Sequence, residues 1–374
     1  MNKTLSLTLR LMWMSIWLAG CGTGLTPTEI PSTPIPTSTV QPPTLTSSPT
    51  ITPIPTASST PPLLPISAEA STYLTDALDI IQNNSLYRES IDWDALRQDT
   101  LDVAKYAQTP ADTYGAIRFA LVRLGDHHSS FYTPNEFEQT AQMTVSDNPA
   151  PRGKLLLEEI GFIAIEEFWG SGRNEYATQA QQVIRDLDAH NPCGWIVDLR
   201  ENDGGSMWPM LAGIGPILGE GDVGAFIDSY GNEQIWSYRN GQAILDGHIN
   251  VQVSGQAYTL KASTPPVAVL TGVNTASSGE AIVIAFRGRP NTRSFGLYTA
   301  GLTTANNPFP LSDGAVIILT DAVEADRTGQ VYDDRIYPDE VVDDVKQFTF
   351  LMDEAIPQPA IDWLMSQSSC SEQK

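Results

Sequence analysis

The feature that most limits the possible folds is an alternation, after Gly153, of short apolar runs with longer helical segments. The apolar runs, each long enough for one strand, lie at 160–165, 195–199, 267–270 and 315–319. The helical patterns between or after them lie near 176–187, 207–218 and 278–286. Strands that alternate with helices are typical of α/β layer structures, so the sequence predicts an α/β fold.

Two turn signals interrupt this alternation, one at residues 230–232 (Tyr-Gly-Asn) and one at residues 240–241 (Asn-Gly). Pairs of this kind favour tight hairpins. We therefore predict an inserted β-rich cap near 223–258, within a core that spans 131–350. The remaining residues, 351–374, are expected to form a C-terminal tail.

Ahead of this core, apolar residues recur every three or four positions, as Leu74, Ala77 and Ile81 illustrate. This spacing places them on one face of a helix. We predict a small helical N-terminal subdomain over 67–130. It ends in a segment that contains two of the four histidines of the chain.

The first 20 residues have the parts of a secretory signal, with basic Lys3 and Arg10, an apolar run and a small-residue end. The apolar run is too short to span a bilayer comfortably. The Leu-Ala-Gly-Cys sequence that ends at Cys21 resembles the bacterial lipobox, whose cysteine is lipidated. The alternative is a cysteine that follows a signal by chance. A signal peptide (1–20) and a lipidated Cys21 predict an extracytoplasmic protein anchored to the bacterial membrane.

Residues 21–66 continue from this cysteine with an unusual composition. From Gly22 to Ile66 the chain has 12 Pro, 12 Thr and 6 Ser, and Glu29 is its single charged residue. Such a segment cannot bury a core and is typical of an extended, disordered linker. We predict that it holds the folded part away from the membrane.

The charge and the cysteines exclude several classes of function. The formal charge of −23 becomes −25 without residues 1–20, which contain two basic residues and no acid. Such an acidic surface repels phosphate, so no nucleic-acid partner is expected. The chain has no CxxC pair and no HExxH helix, so we predict no metal and no cofactor. Because the sequence gives no distance between Cys193 and Cys370, unpaired thiols are favoured over a disulfide, although export to an oxidising compartment would permit one.

Three short segments contain residues that could take part in catalysis, and each follows a predicted strand or helix. The first is 275–280 (TASSGE), at the start of an apolar helix, where backbone N–H groups stabilise negative charge. Its simpler interpretation is a helix N-cap. The second is 125–130 (GDHHSS), where a histidine could serve as the base for a serine nucleophile. The alternatives there are a solvated loop or a weak metal site. The third is 198–205 (DLRENDGG), whose glycines either approach a ligand or form a plain turn.

Together the three segments resemble the C-terminal processing (tail-specific) protease family of serine peptidases. That family carries a GDxHS element, a DLRxNxGG element and a serine three residues before a glutamate, in the order found here. The resemblance is greatest to the nisin resistance protein-like branch, which has a TASS motif. Only about 23 residues separate Ser130 from Lys154, too few for the PDZ domain that many relatives carry there. The resemblance implies a crotonase-like protease core with a small helical N-terminal subdomain and a β-rich cap.

The resemblance also implies the catalytic residues. Many relatives use a serine and a lysine, but this chain has no lysine between Lys261 and Lys346. The histidine branch fits instead, with Ser277 as nucleophile and His128 as general base. Asp333 falls where some relatives place an acid.

The oxyanion hole implied by the family consists of backbone N–H groups from Gly204 or Gly205 and from Ser278. The predicted activity is therefore that of a serine-type endopeptidase acting on a peptide or protein. The alternative is a module of the same fold that binds a peptide or a hydrophobic ligand without turnover. A lipid-anchored scaffold would leave all three motifs without a role.

Overall fold

The computed structural model describes residues 64–344, 348–351 and 354–371. The predicted signal peptide, Cys21 and nearly all of the predicted linker lie outside these ranges. Within the described ranges, no helix combines the length and the apolar character needed to cross a membrane.

Helices and strands alternate through most of the described chain. The α-helices are α1 (Ala68–Asn84), α2 (Trp93–Val103), α3 (Tyr114–Leu124), α4 (Pro134–Ala141), α5 (Arg173–Asp188), α6 (Met207–Leu218), α7 (Ser278–Phe286), α8 (Gln358–Met365) and α9 (Ser368–Ser371). The strands are β1 (Ser130–Tyr132), β2 (Arg152–Leu156), β3 (Ile160–Ala164), β4 (Gly194–Asp198), β5 (Gly221–Asp228), β6 (Glu233–Arg239), β7 (Gln242–Leu245), β8 (His248–Gln252), β9 (Val267–Thr271), β10 (Thr292–Gly296), β11 (Thr304–Pro310), β12 (Val316–Asp326), β13 (Val331–Tyr332), β14 (Glu340–Val341), β15 (Phe348–Leu351) and β16 (Glu354–Pro357).

The N-terminal helices share their core with the strands that follow. Helix α1 begins at Ser67, whose hydroxyl accepts a hydrogen bond from the N–H of Ala70. The buried faces of α1 and α3 pack with apolar residues of β12 in one cluster. Tyr73 and Tyr114 both donate hydrogen bonds to Asp313, which lies just before β12, at 2.8 and 2.6 Å. The helices of the predicted subdomain therefore share one apolar core with β12.

A six-stranded sheet forms the centre of the molecule, in the order β14-β10-β9-β4-β3-β2. All neighbouring strands in it are parallel except β2 and β3. Side chains alternate between its faces: Trp195 and Val197 pack under α5, α6 and α7, while Ile196 packs on the opposite face with α8. These layers confirm the predicted α/β class.

A second, antiparallel sheet follows the order β1-β12-β5-β6-β7-β8, and β11 and β13 also pair with β12. Strands β5 to β8 form a meander over 221–252, where the sequence predicts a β-rich cap. The meander is not an isolated insertion, because β5 pairs with β12. Since β1 and β11 pair with the same residues of β12, they lie along its two opposite edges.

The segment predicted as a C-terminal tail is, in its described part, packed onto the core. Ile361 and Leu364 of α8 are buried against the central sheet. A disulfide joins Cys370 to Cys193, which precedes β4. The preference for two unpaired thiols is therefore wrong: the sheet brings together cysteines that are 177 residues apart in sequence.

Candidate active site

The candidate nucleophile Ser277 lies at the N-terminus of α7, beyond the carboxyl end of β9. It is the N-cap residue of that helix, with φ +50° and ψ −118°. Backbone hydrogen bonds hold this conformation: the N–H of Ala276 donates to the carbonyl of Asn202, and the N–H of Ser277 donates to the Glu280 carboxylate, both at 2.9 Å. The left-handed φ of a serine is a strained conformation that its surroundings must hold in place.

The candidate base His128 lies in the loop between α3 and β1. Gly125 ends α3 in the left-handed conformation, with φ +77°. The carboxylate of Asp126 then accepts hydrogen bonds from the N–H groups of His128 and Ser129, at 3.0 and 2.9 Å. This turn is typical of an aspartate that bonds the backbone two residues on, and it fixes the position from which the imidazole projects. His127 is exposed, with φ +58°.

The two side chains meet although they are 149 residues apart in sequence. Nε2 of His128 lies 3.0 Å from Oγ of Ser277, within the distance over which a base removes a proton from a hydroxyl. Ser277 is partly exposed and so is accessible to a substrate. Burial lowers the pKa of His128 from its ordinary 6.5 to about 4, and the nearby Asp126 opposes this shift. At neutral pH the ring is therefore an uncharged acceptor.

The other ring nitrogen of His128 contacts a residue that sequence reasoning missed. Nδ1 lies 2.7 Å from Oγ1 of Thr304, the first residue of β11. Asp333, the acid suggested by the family resemblance, is solvent-exposed, and no hydrogen bond joins it to His128 within the described residues. We therefore correct this assignment: the structure pairs the imidazole with Thr304, because β12 holds β11 close to the loop that carries His128.

The structure distinguishes between the two glycines predicted for the oxyanion hole. The N–H of buried Gly204 donates to the Asn202 side chain at 3.1 Å. Gly205 is partly exposed, and in the described part of the chain the N–H groups of Gly205 and Ser278 have no hydrogen-bond partner. Gly205 has φ +90°, and a side chain there would come within 2.1 Å of the Phe168 carbonyl oxygen, so this position requires glycine. The N–H groups of Gly205 and Ser278 are thus the available donors.

Glu280 supports the candidate nucleophile Ser277 from inside the protein. It is fully buried, and its carboxylate accepts hydrogen bonds from Ser277 N–H, the Thr299 hydroxyl, and the N–H groups of Gly301 and Leu302. Burial raises its pKa, and these hydrogen bonds oppose the shift. The TASSGE segment contains this glutamate, but no local pattern in the sequence indicates its distant donors.

The described residues include no group of three or more His, Cys, Asp or Glu side chains that could hold a metal ion. The described residues bring together two kinds of chemical group at this site. These are a hydroxyl within reach of a neutral imidazole, and two backbone N–H donors beside that hydroxyl.

Comparison with known proteins gives consistent matches. The sequence pattern of peptidase family S41 matches residues 159–342. The chain is 30% identical over 298 residues to the nisin-resistance protein of Lactococcus lactis subsp. lactis, covering 79% of this chain and 87% of that protein. A lipoprotein from Streptococcus agalactiae superposes with a TM-score of 0.66 at 27% identity, covering 80% of this chain and 97% of that one. The photosystem II D1 C-terminal processing protease shares the fold, with a TM-score of 0.54 at 17% identity, covering 74% and 94% of the two chains.

Proposed function

Because the chain belongs to peptidase family S41, we propose that it is a membrane-anchored, extracytoplasmic serine endopeptidase that hydrolyses peptide bonds through an acyl-enzyme. The observation that carries this proposal is the 3.0 Å contact between Nε2 of His128 and Oγ of Ser277. A serine hydroxyl is a weak nucleophile at neutral pH, and an adjacent neutral base is the usual means of activating it.

The proposed reaction begins when the Ser277 oxygen attacks the carbonyl carbon of the scissile peptide bond and His128 takes the hydroxyl proton. The negative charge that develops on the carbonyl oxygen is stabilised by the N–H groups of Gly205 and Ser278. His128 then gives the proton to the leaving amine, and the C–N bond breaks. Water, deprotonated by the same imidazole, attacks the acyl-enzyme and releases the second product.

The proposed membrane attachment depends on Cys21, which lies outside the described residues. Its support is the lipobox-like sequence together with the similarity to a protein described as a lipoprotein. Replacing Cys21 by alanine should release the protein from the membrane fraction and abolish incorporation of a labelled fatty acid. Retention of both properties in Cys21→Ala would contradict the anchor.

Cationic peptides are the proposed substrates. The chain is strongly acidic, and several acids lie around the nucleophile. Asp126 acts on the pKa of His128, Glu201 accepts a hydrogen bond from Asn274 at 3.2 Å, and Asp203 is exposed next to Gly204. A negative field at the mouth of a site raises the local concentration of positively charged ligands. The relative named for nisin resistance is a further reason to test cationic peptides.

The decisive experiment is labelling of the purified protein with a serine-directed phosphonate, followed by peptide mapping. We expect the label on Ser277, no label in Ser277→Ala, and much slower labelling in His128→Ala. Peptide cleavage should be lost in the same two variants. A wild-type protein that binds peptides but neither cleaves them nor accepts the label would instead be a binding module of the same fold.

A further inference from the structure

The imidazole of a serine peptidase needs a partner on the nitrogen that does not face the nucleophile. A neutral imidazole has one N–H and one lone pair, so a lone pair on Nε2 requires the hydrogen on Nδ1. Nδ1 of His128 lies 2.7 Å from Oγ1 of Thr304. We propose that Thr304 is the positioning residue of His128, whose hydroxyl accepts the Nδ1 hydrogen and so directs the Nε2 lone pair at Ser277. This inference rests on the proposed peptidase mechanism.

Strand β11 holds the His128 residue at two points. Thr304 and Asn306 are two positions apart on the strand, and the side chains of both contact His128. The side-chain amide of Asn306 donates to the carbonyl oxygen of His128 at 3.2 Å, and its oxygen accepts from the hydroxyl of Thr320 at 2.8 Å. One residue of β11 therefore contacts the backbone of His128 while Thr304 contacts its ring. This arrangement fits a positioning role better than a chance contact.

The carboxylate nearest to His128 in sequence, that of Asp126, already accepts hydrogen bonds from other groups. Asp126 accepts from the N–H groups of His128 and Ser129 through Oδ1, and from the Ser129 hydroxyl through Oδ2. Ser129 in turn accepts from the N–H of Thr320 on β12. Asp126 thus shapes the loop, and among the described residues it is the charged group that acts on the pKa of His128. The ring nitrogen itself meets an uncharged hydroxyl.

A hydroxyl and a carboxylate in this position have different consequences. A carboxylate would favour the charged imidazolium and raise the pKa of the base. The Thr304 hydroxyl accepts the same N–H without adding a charge, so it fixes the tautomer and leaves the ring easy to deprotonate. The enzyme therefore keeps a neutral base at pH values where a carboxylate-paired histidine would already be charged.

The test compares three substitutions at Thr304 with a matched control. Thr304→Val removes the acceptor at nearly constant shape and should lower kcat about 10- to 100-fold with little change in KM, since base catalysis contributes about 10²- to 10⁴-fold. Thr304→Ser should recover most of that loss. Thr304→Asp should move the acid limb of kcat/KM up by about one pH unit or more. Thr292→Val, at a half-buried strand threonine whose hydroxyl contacts Arg289 instead, should behave as wild type.

A second measurement is independent of turnover. Nitrogen-15 spectra of the histidine side chains, with His128 assigned by its absence in His128→Gln, should show the Nδ1–H tautomer in wild type and Thr304→Ser. A mixture of tautomers is expected in Thr304→Val. Because this readout needs no substrate, it decides the role of Thr304 even if the wild-type protein cleaves no peptide.

Several outcomes would overturn the proposal. One is a Thr304→Val protein with the kcat and pH profile of Thr292→Val. Another is an Nε2–H tautomer in the wild type that persists in Thr304→Val. If Thr304→Val does not fold, the Thr304→Ser and Thr304→Asp variants test the role of the hydroxyl instead. An acid limb that stays in place in Thr304→Asp would then show that the hydroxyl does not control the base.

Discussion

At the scale of single residues, two neighbouring serines have different tasks at the start of α7. Ser277 presents its hydroxyl to His128, whereas the hydroxyl of Ser278 donates to the carbonyl of Gly205 at 2.7 Å. Ser278 thereby supports the glycine loop, and its backbone N–H would contribute to the oxyanion hole. Replacing the Ser278 side chain leaves its backbone N–H in place, whereas replacing the Ser277 side chain removes the proposed nucleophile.

We therefore expect Ser277→Ala to lower kcat by about 10⁴-fold or more, as loss of a catalytic serine does elsewhere. Ser278→Ala removes one hydrogen bond, worth about 1 kcal/mol, and should cost less than about tenfold. Initial rates of peptide cleavage by the two purified variants measure the difference. Equal activity of Ser277→Ala and wild type would remove Ser277 from the mechanism.

The pH dependence of activity is set at the same scale. An ordinary histidine titrates near 6.5, and from sequence alone we expect the acid limb there. Burial lowers the pKa of His128 to about 4. Because the base must be neutral to accept a proton, kcat/KM should persist below pH 6 and fall as the pH approaches about 4. A profile of kcat/KM against pH measures this limb.

A stability control must accompany that profile. The folded-state pKa of His128 lies below the unfolded value, so the unfolded chain binds more protons between about pH 6.5 and about pH 4. The fold therefore loses stability as the pH falls through this window. Re-assay at pH 7 after acid incubation separates unfolding from titration of the base. An acid limb near 6.5 would contradict the lowered pKa of His128, and a fully active His128→Ala would contradict its role as the base.

At the scale of elements, two buried glutamates flank the site in different ways. Glu280 on α7 accepts four hydrogen bonds from donors that the fold supplies. Glu324 on β12 is also buried, and its Oε2 has no hydrogen-bond partner among the described residues. Burial, together with the charge of Glu280, raises the pKa of Glu324 well above its ordinary value. Burial and the neighbouring charge therefore shift Glu324 towards its neutral form.

The same substitution should thus destabilise the protein much more at Glu280 than at Glu324. Glu280→Gln places an amide against N–H donors and should lower the free energy of unfolding by about 2 kcal/mol or more, with a loss of activity. Glu324→Gln imitates a neutral acid and should change it by less than about 1 kcal/mol. Urea unfolding at pH 7 compares them. A larger loss in Glu324→Gln than in Glu280→Gln would show that Glu324 is the charged partner.

Among the elements, the disulfide links the C-terminal helices to the residue that precedes β4. It joins residues 177 apart in sequence, and such links typically stabilise a fold by about 2–4 kcal/mol. We expect Cys193→Ala/Cys370→Ala to lose stability by about that amount in urea unfolding. Thiol counting on denatured, unreduced Cys21→Ala protein should find no free thiol. Two free thiols in that assay would rule the link out.

At the scale of the whole molecule, the acidic charge can act on any approaching peptide. Salt screens such fields, with a Debye length of about 10 Å at 0.1 M. If the charge steers cationic substrates, kcat/KM for a Lys-rich peptide should fall severalfold between about 20 mM and about 200 mM salt. That of a neutral peptide of similar length should barely change. The alternative is that acidity serves only to keep an exported protein soluble.

Parallel loss for both peptides, or no loss for either, would show that the charge does not select the substrate. The enzyme would then be better described as a general peptidase that trims protein tails. A control at constant ionic strength with two peptides of equal charge and different sequence separates electrostatic steering from contacts in the site.

The sequence by itself determined the features that depend on residues close together along the chain. Apolar periodicity identified α6 and α7 and the central strands β4 and β9, because side-chain spacing along one segment reflects which face is buried. The family motifs similarly indicated Ser277 and His128 as candidate catalytic residues. Each motif is short and continuous, so it can be read without the fold.

Only the tertiary structure decided which distant groups meet. Thr304 reaches a histidine 176 residues away, and nothing in its own segment marks it, because its role follows from the pairing of β11 with β12. The same holds for the disulfide and for the donors of Glu280. Asp333 falls where some relatives place an acid, but the folded chain leaves it in solvent. Pairings of this kind depend on strand register and layer packing, which local periodicity does not encode.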